Sequence, residues 1–302
     1  MNGAGAPTWT HREGRVNGIR LHWVEQGEGP LVVLLHGFPE FWYAWRHQIP
    51  ALAAAGFRAV APDLRGYDLS DKPTGVKAYR IEALLGDLAG LIARLAEGEK
   101  EPRAHVVGHD WGGAFAWYAP LFLPERLLSL TLLNAPHPLA FRRELKRSAA
   151  QRRKSSYVFL FQLPWLPERR IRAGNFAALE KVLRRDPVRP GTFSDEDIRL
   201  YKEALARPGA LTAAVNYYRA AFRFPPRVRG RVWPEGLKTL LVWGERDRYL
   251  GPGLLEGLDR WAPNITVERI PDASHWVQAD AADRVNELLI GFLAGVSPSR
   301  SR

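Results

Sequence analysis

The chain has 302 residues, of which 46% are hydrophobic and 25% charged, and its formal net charge is +11. That length and balance suit one large folded domain, or a domain with an insertion, and exclude a mainly disordered chain. Cysteine is absent, which excludes disulfides, thiolate nucleophiles, zinc–thiolate sites and iron–sulfur clusters.

The N-terminal stretch MNGAGAPTWTHREG has no apolar signal core, so no export and a cytoplasmic location are expected. Residues 20–26 and 31–35 read as strands, the second fully buried because it is apolar on both faces. Residues 40–55 read as a helix, and a strand at 59–62 ends at Asp63-Leu64-Arg65-Gly66. Residues 81–96 place Ile81, Leu84, Leu85, Leu88, Leu91, Ile92 and Leu95 on one helical face. A strand at 104–107, a helix at 112–123 and a strand at 127–133 follow. Strands at 239–243 and 266–270 flank a helix at 253–261, and a helix at 281–293 comes last. The Ser/Arg-rich tail 295–302 is expected to fray. The longest nearly unbroken apolar run, 288–296, is far short of the roughly 20 residues of a membrane span, so none is expected. This alternation predicts an α/β fold with a mostly parallel central sheet and helices on both faces.

The alternation breaks between His137 and Pro234. That stretch is helical in pattern, rich in proline and strongly basic. Residues 141–231 hold 22 Lys/Arg against 8 Asp/Glu, whereas the rest of the chain holds 21 against 24. The spacing of Arg142, Arg143, Lys146, Arg147, Arg152, Arg153 and Lys154 reads as a solvated helix face. No zinc finger, helix-turn-helix or RNA-binding motif accompanies the charge, so nucleic acid is not an expected partner. The expected division is a core at 1–136 and 235–294, with a helical lid at 137–234 covering a site at the carboxyl edge of the sheet.

The sharpest motif is Gly108-His109-Asp110-Trp111-Gly112-Gly113, directly after a predicted strand. Strand, tight glycine-flanked turn and helix form a nucleophile elbow. Asp110 holds the nucleophile's place, and a carboxylate there can attack an sp3 carbon and form an ester. His36-Gly37-Phe38-Pro39 follows another strand. The backbone N–H groups of Phe38 and Trp111 are the candidate oxyanion donors. Asp247, in Trp243-Gly244-Glu245-Arg246-Asp247, is the candidate acid, with Glu245 and Asp272 as competitors. His275, in Asp272-Ala273-Ser274-His275-Trp276, is the candidate general base on water. The order nucleophile, acid, base is that of the elbow folds. His109 reads as structural. Gly251-Pro252-Gly253 with Gly257 is an incomplete dinucleotide fingerprint and reads as a loop. With no HExxH-type motif, neither metal nor cofactor is expected.

These motifs, together with HGFPEFWYAW at 36–45 and DLRGYDLSDKP at 63–73, resemble the epoxide hydrolase branch of the α/β-hydrolase fold, over about residues 13–294. The resemblance implies an α/β-hydrolase core with a helical lid (cap), and a small-molecule epoxide and water as reactants. It also implies two lid tyrosines that donate hydrogen bonds to the epoxide oxygen. Tyr157, before Phe161-Gln162-Leu163-Pro164, and Tyr218, in Asn216-Tyr217-Tyr218-Arg219, match their contexts, with Tyr217 as the alternative to Tyr218. Trp42, Trp111 and Phe38 resemble pocket-lining positions. A dehalogenase of the same fold shares the Asp nucleophile. Many haloalkane dehalogenases pair a Trp at position 111 with an Asn where Phe38 stands or with a further lid Trp, and fluoroacetate dehalogenases place an arginine where Trp111 stands. A non-catalytic receptor would usually have lost a triad member, and none is missing.

Overall fold

A computed structural model describes residues 9–296. The frayed tail expected at 295–302 therefore lies, from residue 297 on, outside the described residues. Eight strands form one sheet: β1 (Thr10–Val16), β2 (Ile19–Gln26), β3 (Leu31–Leu35), β4 (Arg58–Pro62), β5 (Ala104–His109), β6 (Leu127–Leu133), β7 (Thr239–Gly244) and β8 (Ile265–Ile270). Their order is β1-β2-β4-β3-β5-β6-β7-β8. β1 pairs antiparallel with β2, and β2 antiparallel with β4; every other pair is parallel.

β3, β5 and β7 are buried at every position. A strand can be so only where both faces of its sheet are covered, which explains the unbroken apolar run of β3; the polar residues buried in β5, His105 and His109, each have a hydrogen-bond partner. The cover comes from α1 (Gln48–Ala54), α2 (Ile81–Leu95), α3 (Asp110–Ala116) and α4 (Ala119–Phe122) in the first part of the chain. Six helices lie between β6 and β7: α5 (Pro138–Arg147), α6 (Ala149–Lys154), α7 (Ser156–Leu160), α8 (Leu166–Arg185), α9 (Asp195–Ala206) and α10 (Ala210–Arg223). α11 (Val277–Asp280) and α12 (Ala282–Ala294) follow β8. All seven apolar residues assigned to the buried face of α2 are buried, together with Asp87. Asp87 can be buried there because the Arg65 guanidinium donates two hydrogen bonds to it, at 2.7 and 2.6 Å.

Four elements differ from the sequence reading. β1 is mostly exposed and polar on both faces, so no apolar alternation marks it; backbone pairing with β2 makes it a strand. The helix expected at 40–55 is a 3-10 turn at Trp42–Trp45 followed by α1. The Trp42 N–H is taken by Asp63 Oδ1 at 3.0 Å, outside any helical ladder. The helix expected at 112–123 starts at Asp110 and breaks before α4, whose first turn holds Pro120, a residue with no N–H to give. The helix expected at 253–261 is two 3-10 turns, parted by Gly257 at φ +64°.

The turn from β5 into α3 leaves no room for side chains. A methyl group added at Gly112 would stand 2.1 Å from the Leu35 carbonyl oxygen, whereas one at Gly236 would meet nothing within 4 Å. Gly112→Ala is therefore expected to destabilise the protein by at least about 2 kcal/mol. Gly236→Ala should stay within about 0.5 kcal/mol of the parent. Urea unfolding followed by circular dichroism separates the two, and equal midpoints would contradict this account of the turn.

Candidate active site

Asp110 sits at the start of α3 with φ +46°, a left-handed conformation that costs a non-glycine residue free energy. The turn presents its side chain away from the β5 ladder. The carboxylate does not cap its own helix; Oδ1 accepts a hydrogen bond from the Phe38 N–H at 2.7 Å. The loop after β3 comes this close because residue 37 is glycine: a methyl there would lie 2.4 Å from Asp110 Cβ. The other oxygen, Oδ2, lies 3.6 Å from His275 Nε2.

On its far side, His275 Nδ1 hydrogen-bonds Asp247 Oδ2 at 2.7 Å. Asp247 is buried and accepts three more hydrogen bonds: from the N–H groups of Tyr249 (2.7 Å) and Leu250 (2.9 Å), and from Asn134 Nδ2 (2.8 Å). The competing acids point elsewhere. Glu245 pairs with Arg269 at 2.5 Å and Asp272 with Arg189 at 3.4 Å.

The three buried groups shift one another's protonation. Burial alone opposes a charged imidazole, but the flanking Asp247 and Asp110 carboxylates outweigh it and raise His275 to about 10. Burial likewise works to raise both carboxyls, and the adjacent imidazole reverses it, holding Asp110 and Asp247 below their ordinary range. At neutral pH the row is carboxylate–imidazolium–carboxylate.

Asp110 and His275 open on a cavity of about 190 Å³ lined also by Phe38, Tyr157, Phe161, Tyr218, Tyr249 and Trp276. Tyr157 comes from α7 and Tyr218 from α10, with ring centroids 5.9 Å apart. Burial holds both phenols above their ordinary value, so they remain protonated donors. Tyr217 does not line the cavity; its hydroxyl donates to the Arg65 carbonyl at 2.8 Å. Of the aromatic residues expected in the lining, Phe38 is there and two are not. Trp42 packs outside the cavity lining against Trp9 and His11, and its backbone N–H donates to Asp63. The Trp111 ring stands behind Tyr218, with centroids 4.8 Å apart.

Sequence reasoning did not assign a role to several residues that build the site. Asn134, at φ +39° directly after β6, bridges β6 and β7. Its Oδ1 accepts from the Gly244 N–H at 2.8 Å, while its Nδ2 reaches Asp247. An asparagine ending a buried parallel strand was the available signal. Tyr249 lines the cavity, its ring 5.3 Å from that of His275. His109, expected to be structural, has specific partners. Nδ1 meets Glu40 Oε2 at 2.7 Å, and Nε2 meets the His275 carbonyl at 2.9 Å.

A family model for the α/β-hydrolase fold matches residues 30–282. The AB hydrolase superfamily protein YfhM of Bacillus subtilis (strain 168) is 42% identical over 279 residues, which are 92% of this chain and 95% of that one. Epoxide hydrolase 4 of Homo sapiens is 36% identical, across 92% of this chain and 76% of its own length. Among solved structures, a mutant of an epoxide hydrolase from Bacillus megaterium superposes with a TM-score of 0.85 at 32% identity, covering 94% of this chain and all of that one. The epoxide hydrolase VrEH1 from Vigna radiata gives 0.77 at 30%, covering 95% and 98%.

The raised His275 makes a prediction about pH. Its folded value exceeds that of an unfolded imidazole. Its contribution to stability is therefore complete below about pH 6.5 and is lost as the pH climbs towards 10. The depressed carboxyls contribute in the opposite sense, above their unfolded values, and lose that contribution in acid. Nitrogen-detected NMR of the ring should find His275 protonated at pH 8, and neutral at pH 8 in Asp247→Asn. A free-protein His275 that titrates near 6.5 would contradict the ion row.

Proposed function

This chain belongs to the epoxide hydrolase branch of the α/β-hydrolase family, and from that membership and the geometry of its site we propose that it converts epoxides to vicinal diols through an ester on Asp110. One observation carries the reading. The Asp110 carboxylate has one oxygen tied to a backbone N–H, and the site opens on an apolar cavity lined by two protonated phenols. A nucleophile and two proton donors around one small cavity are what opening a strained ether requires.

Asp110 Oδ2 attacks an epoxide carbon, and the carbon–oxygen bond of the ring breaks. The ring oxygen takes a proton from Tyr157 or Tyr218, leaving a hydroxyalkyl ester and a phenolate. Esterification removes the negative charge of Asp110, so His275 loses one of the two carboxylates that hold its proton. That proton passes to the phenolate, and His275 becomes neutral. It then takes a proton from water, whose oxygen attacks Asp110 Cγ. The oxyanion forms on Oδ1, which already faces the Phe38 N–H, and the Trp111 N–H at the start of α3 is its second donor. Collapse breaks the Cγ–Oδ2 bond, the proton of the newly added hydroxyl passes to the departing oxygen, and the diol leaves behind the carboxylate and the imidazolium. Asp247, with its four hydrogen bonds, fixes the tautomer and orientation of His275 throughout. We further propose that residues 137–234 act as the lid, since Tyr157, Phe161 and Tyr218 reach the cavity from it.

A halide-releasing reaction draws no support from the site. The Trp111 ring is engaged with Tyr218 outside the cavity lining, and an apolar Phe38 side chain occupies the other expected halide position.

Removing the base strands the ester, which intact mass spectrometry reads directly. His275→Gln mixed with an epoxide should gain the whole epoxide mass on Asp110 and should gain nothing from a chloroalkane. An alkyl adduct from the chloroalkane alone would sink the epoxide reading. Tyr157→Phe and Tyr218→Phe should each slow ester formation about a hundredfold, and the double variant should have no measurable turnover. In single-turnover experiments, ester hydrolysis should reach its plateau well below pH 10, because esterification lowers the His275 value.

A further inference from the structure

Two surface properties coincide on the insertion between β6 and β7. It carries the chain's entire positive surplus. Among the described residues it also carries every exposed large apolar side chain: Leu139, Phe159, Leu163, Trp165, Phe222, Phe224 and Val232. Five of these gather where α7 and its following turn meet the end of α10. The turn is fastened there by Arg219, which donates to the carbonyls of Phe161 (3.0 Å) and Leu163 (2.6 Å), and by Arg223, which donates to that of Gln162 (3.3 Å). Trp165 is 66% exposed, Phe222 67% and Phe159 55%. Trp165 holds φ +51°, a costly conformation for a bulky residue that leaves its ring in solvent. Beyond Phe222, a groove continues the apolar surface with Phe122 and Phe224, bordered by Arg80, Glu82, Arg223, Arg227 and Arg231.

Cations without a carboxylate partner also stand elsewhere on the insertion, among them Arg142, Lys146 and Arg153, but here they stand beside the exposed apolar side chains. Arg184, Arg199 and Arg207 are spent on neighbouring carboxylates. Among the described residues, Arg169, Arg170, Arg172, Arg223 and Arg227 meet none, and the nearby Glu168 and Glu82 are engaged by Arg219 and Arg80. Exposed tryptophan, phenylalanine and leucine beside unpaired arginines form the composition that settles into a lipid headgroup region. The +11 chain disfavours pairing this face with a second copy of itself. No described helix is long and apolar enough to cross a membrane, so the attachment is peripheral.

We propose that this face of the insertion docks on an anionic membrane surface, with Phe159, Leu163, Trp165 and Phe222 entering the interface and the free arginines meeting lipid phosphates. α7 and the same turn bear Tyr157 and Phe161, which line the cavity on its inner side. Docking therefore sets the cavity about one helix diameter, roughly 10 Å, from the lipid. If the proposed epoxide chemistry holds, the favoured substrates are apolar epoxides dissolved in lipid; the docking itself does not depend on that chemistry.

The test is co-sedimentation of the full chain with phosphatidylcholine vesicles made with and without phosphatidylglycerol. Binding is expected only to the anionic vesicles and should weaken with salt. The triple variant Phe159→Ser, Trp165→Asn, Phe222→Ser should bind at least about tenfold more weakly, with an unchanged melting temperature and unchanged turnover of a water-soluble epoxide. No binding at low salt, or equal binding by the variant, would overturn the proposal. So would full displacement by duplex DNA, which would mark a general polyanion surface. A dimer in sedimentation velocity that the triple variant dissolves would overturn it in favour of self-association.

Discussion

The site depends on keeping two carboxylates and one imidazole in a row inside an apolar interior. Each of these charges, buried alone, would cost several kcal/mol. Together they remain because each carboxylate shares the proton-bearing ring and because backbone donors meet the rest. The sharing is unequal. Asp247 receives four hydrogen bonds, from His275, Asn134, Tyr249 and Leu250. Asp110 receives one short bond, from Phe38, and its other oxygen faces the imidazole only at 3.6 Å. One residue type thus stands in two settings: one carboxylate saturated, as its proposed orienting role requires, and one undersupplied, as its proposed nucleophilic role requires.

The strands place these groups with little freedom. Phe38, Asp110, Asn134, Asp247 and His275 follow the carboxyl ends of β3, β5, β6, β7 and β8 respectively. Parallel pairing brings those ends to one edge of the sheet. The core therefore supplies Asp110, His275 and the backbone donors, the proposed nucleophile and base among them, while the inserted helices supply the two phenols and most of the apolar wall. Beneath the row, Glu40, His109 and Gln278 link three segments of the core in one buried hydrogen-bonded cluster. It holds the His275 backbone from below, as Asp247 holds its ring from the side.

The parts of this that could be read in the sequence were those with a local signature. The alternation of buried strands and the period of α2 announced the sheet. GHDWGG announced the turn, because only glycine tolerates the contacts at positions 108, 112 and 113. Choosing Asp247 over Glu245 and Asp272, or Tyr218 over Tyr217, needs the directions of side chains, and spacing alone leaves them open. Trp42 is buried against Trp9 and His11 outside the cavity lining, and no local pattern marks this: its backbone N–H donates to Asp63, twenty-one positions away. β1 was invisible because pairing with β2, rather than its own side chains, makes it a strand.

The insertion has a consequence for how the molecule is made. β6 and β7 are neighbours in the sheet, yet about a hundred residues of inserted helices separate them, so their pairing closes a very long loop. A chain emerging from the ribosome presents Asp110 and the first six strands early, with β6 left as an open apolar edge. The strands that bring Asp247 and His275 come last. Until they dock, the nascent chain has the proposed nucleophile but neither the ion row nor the proposed base, so on that reading reactivity and structural closure arrive in the same step.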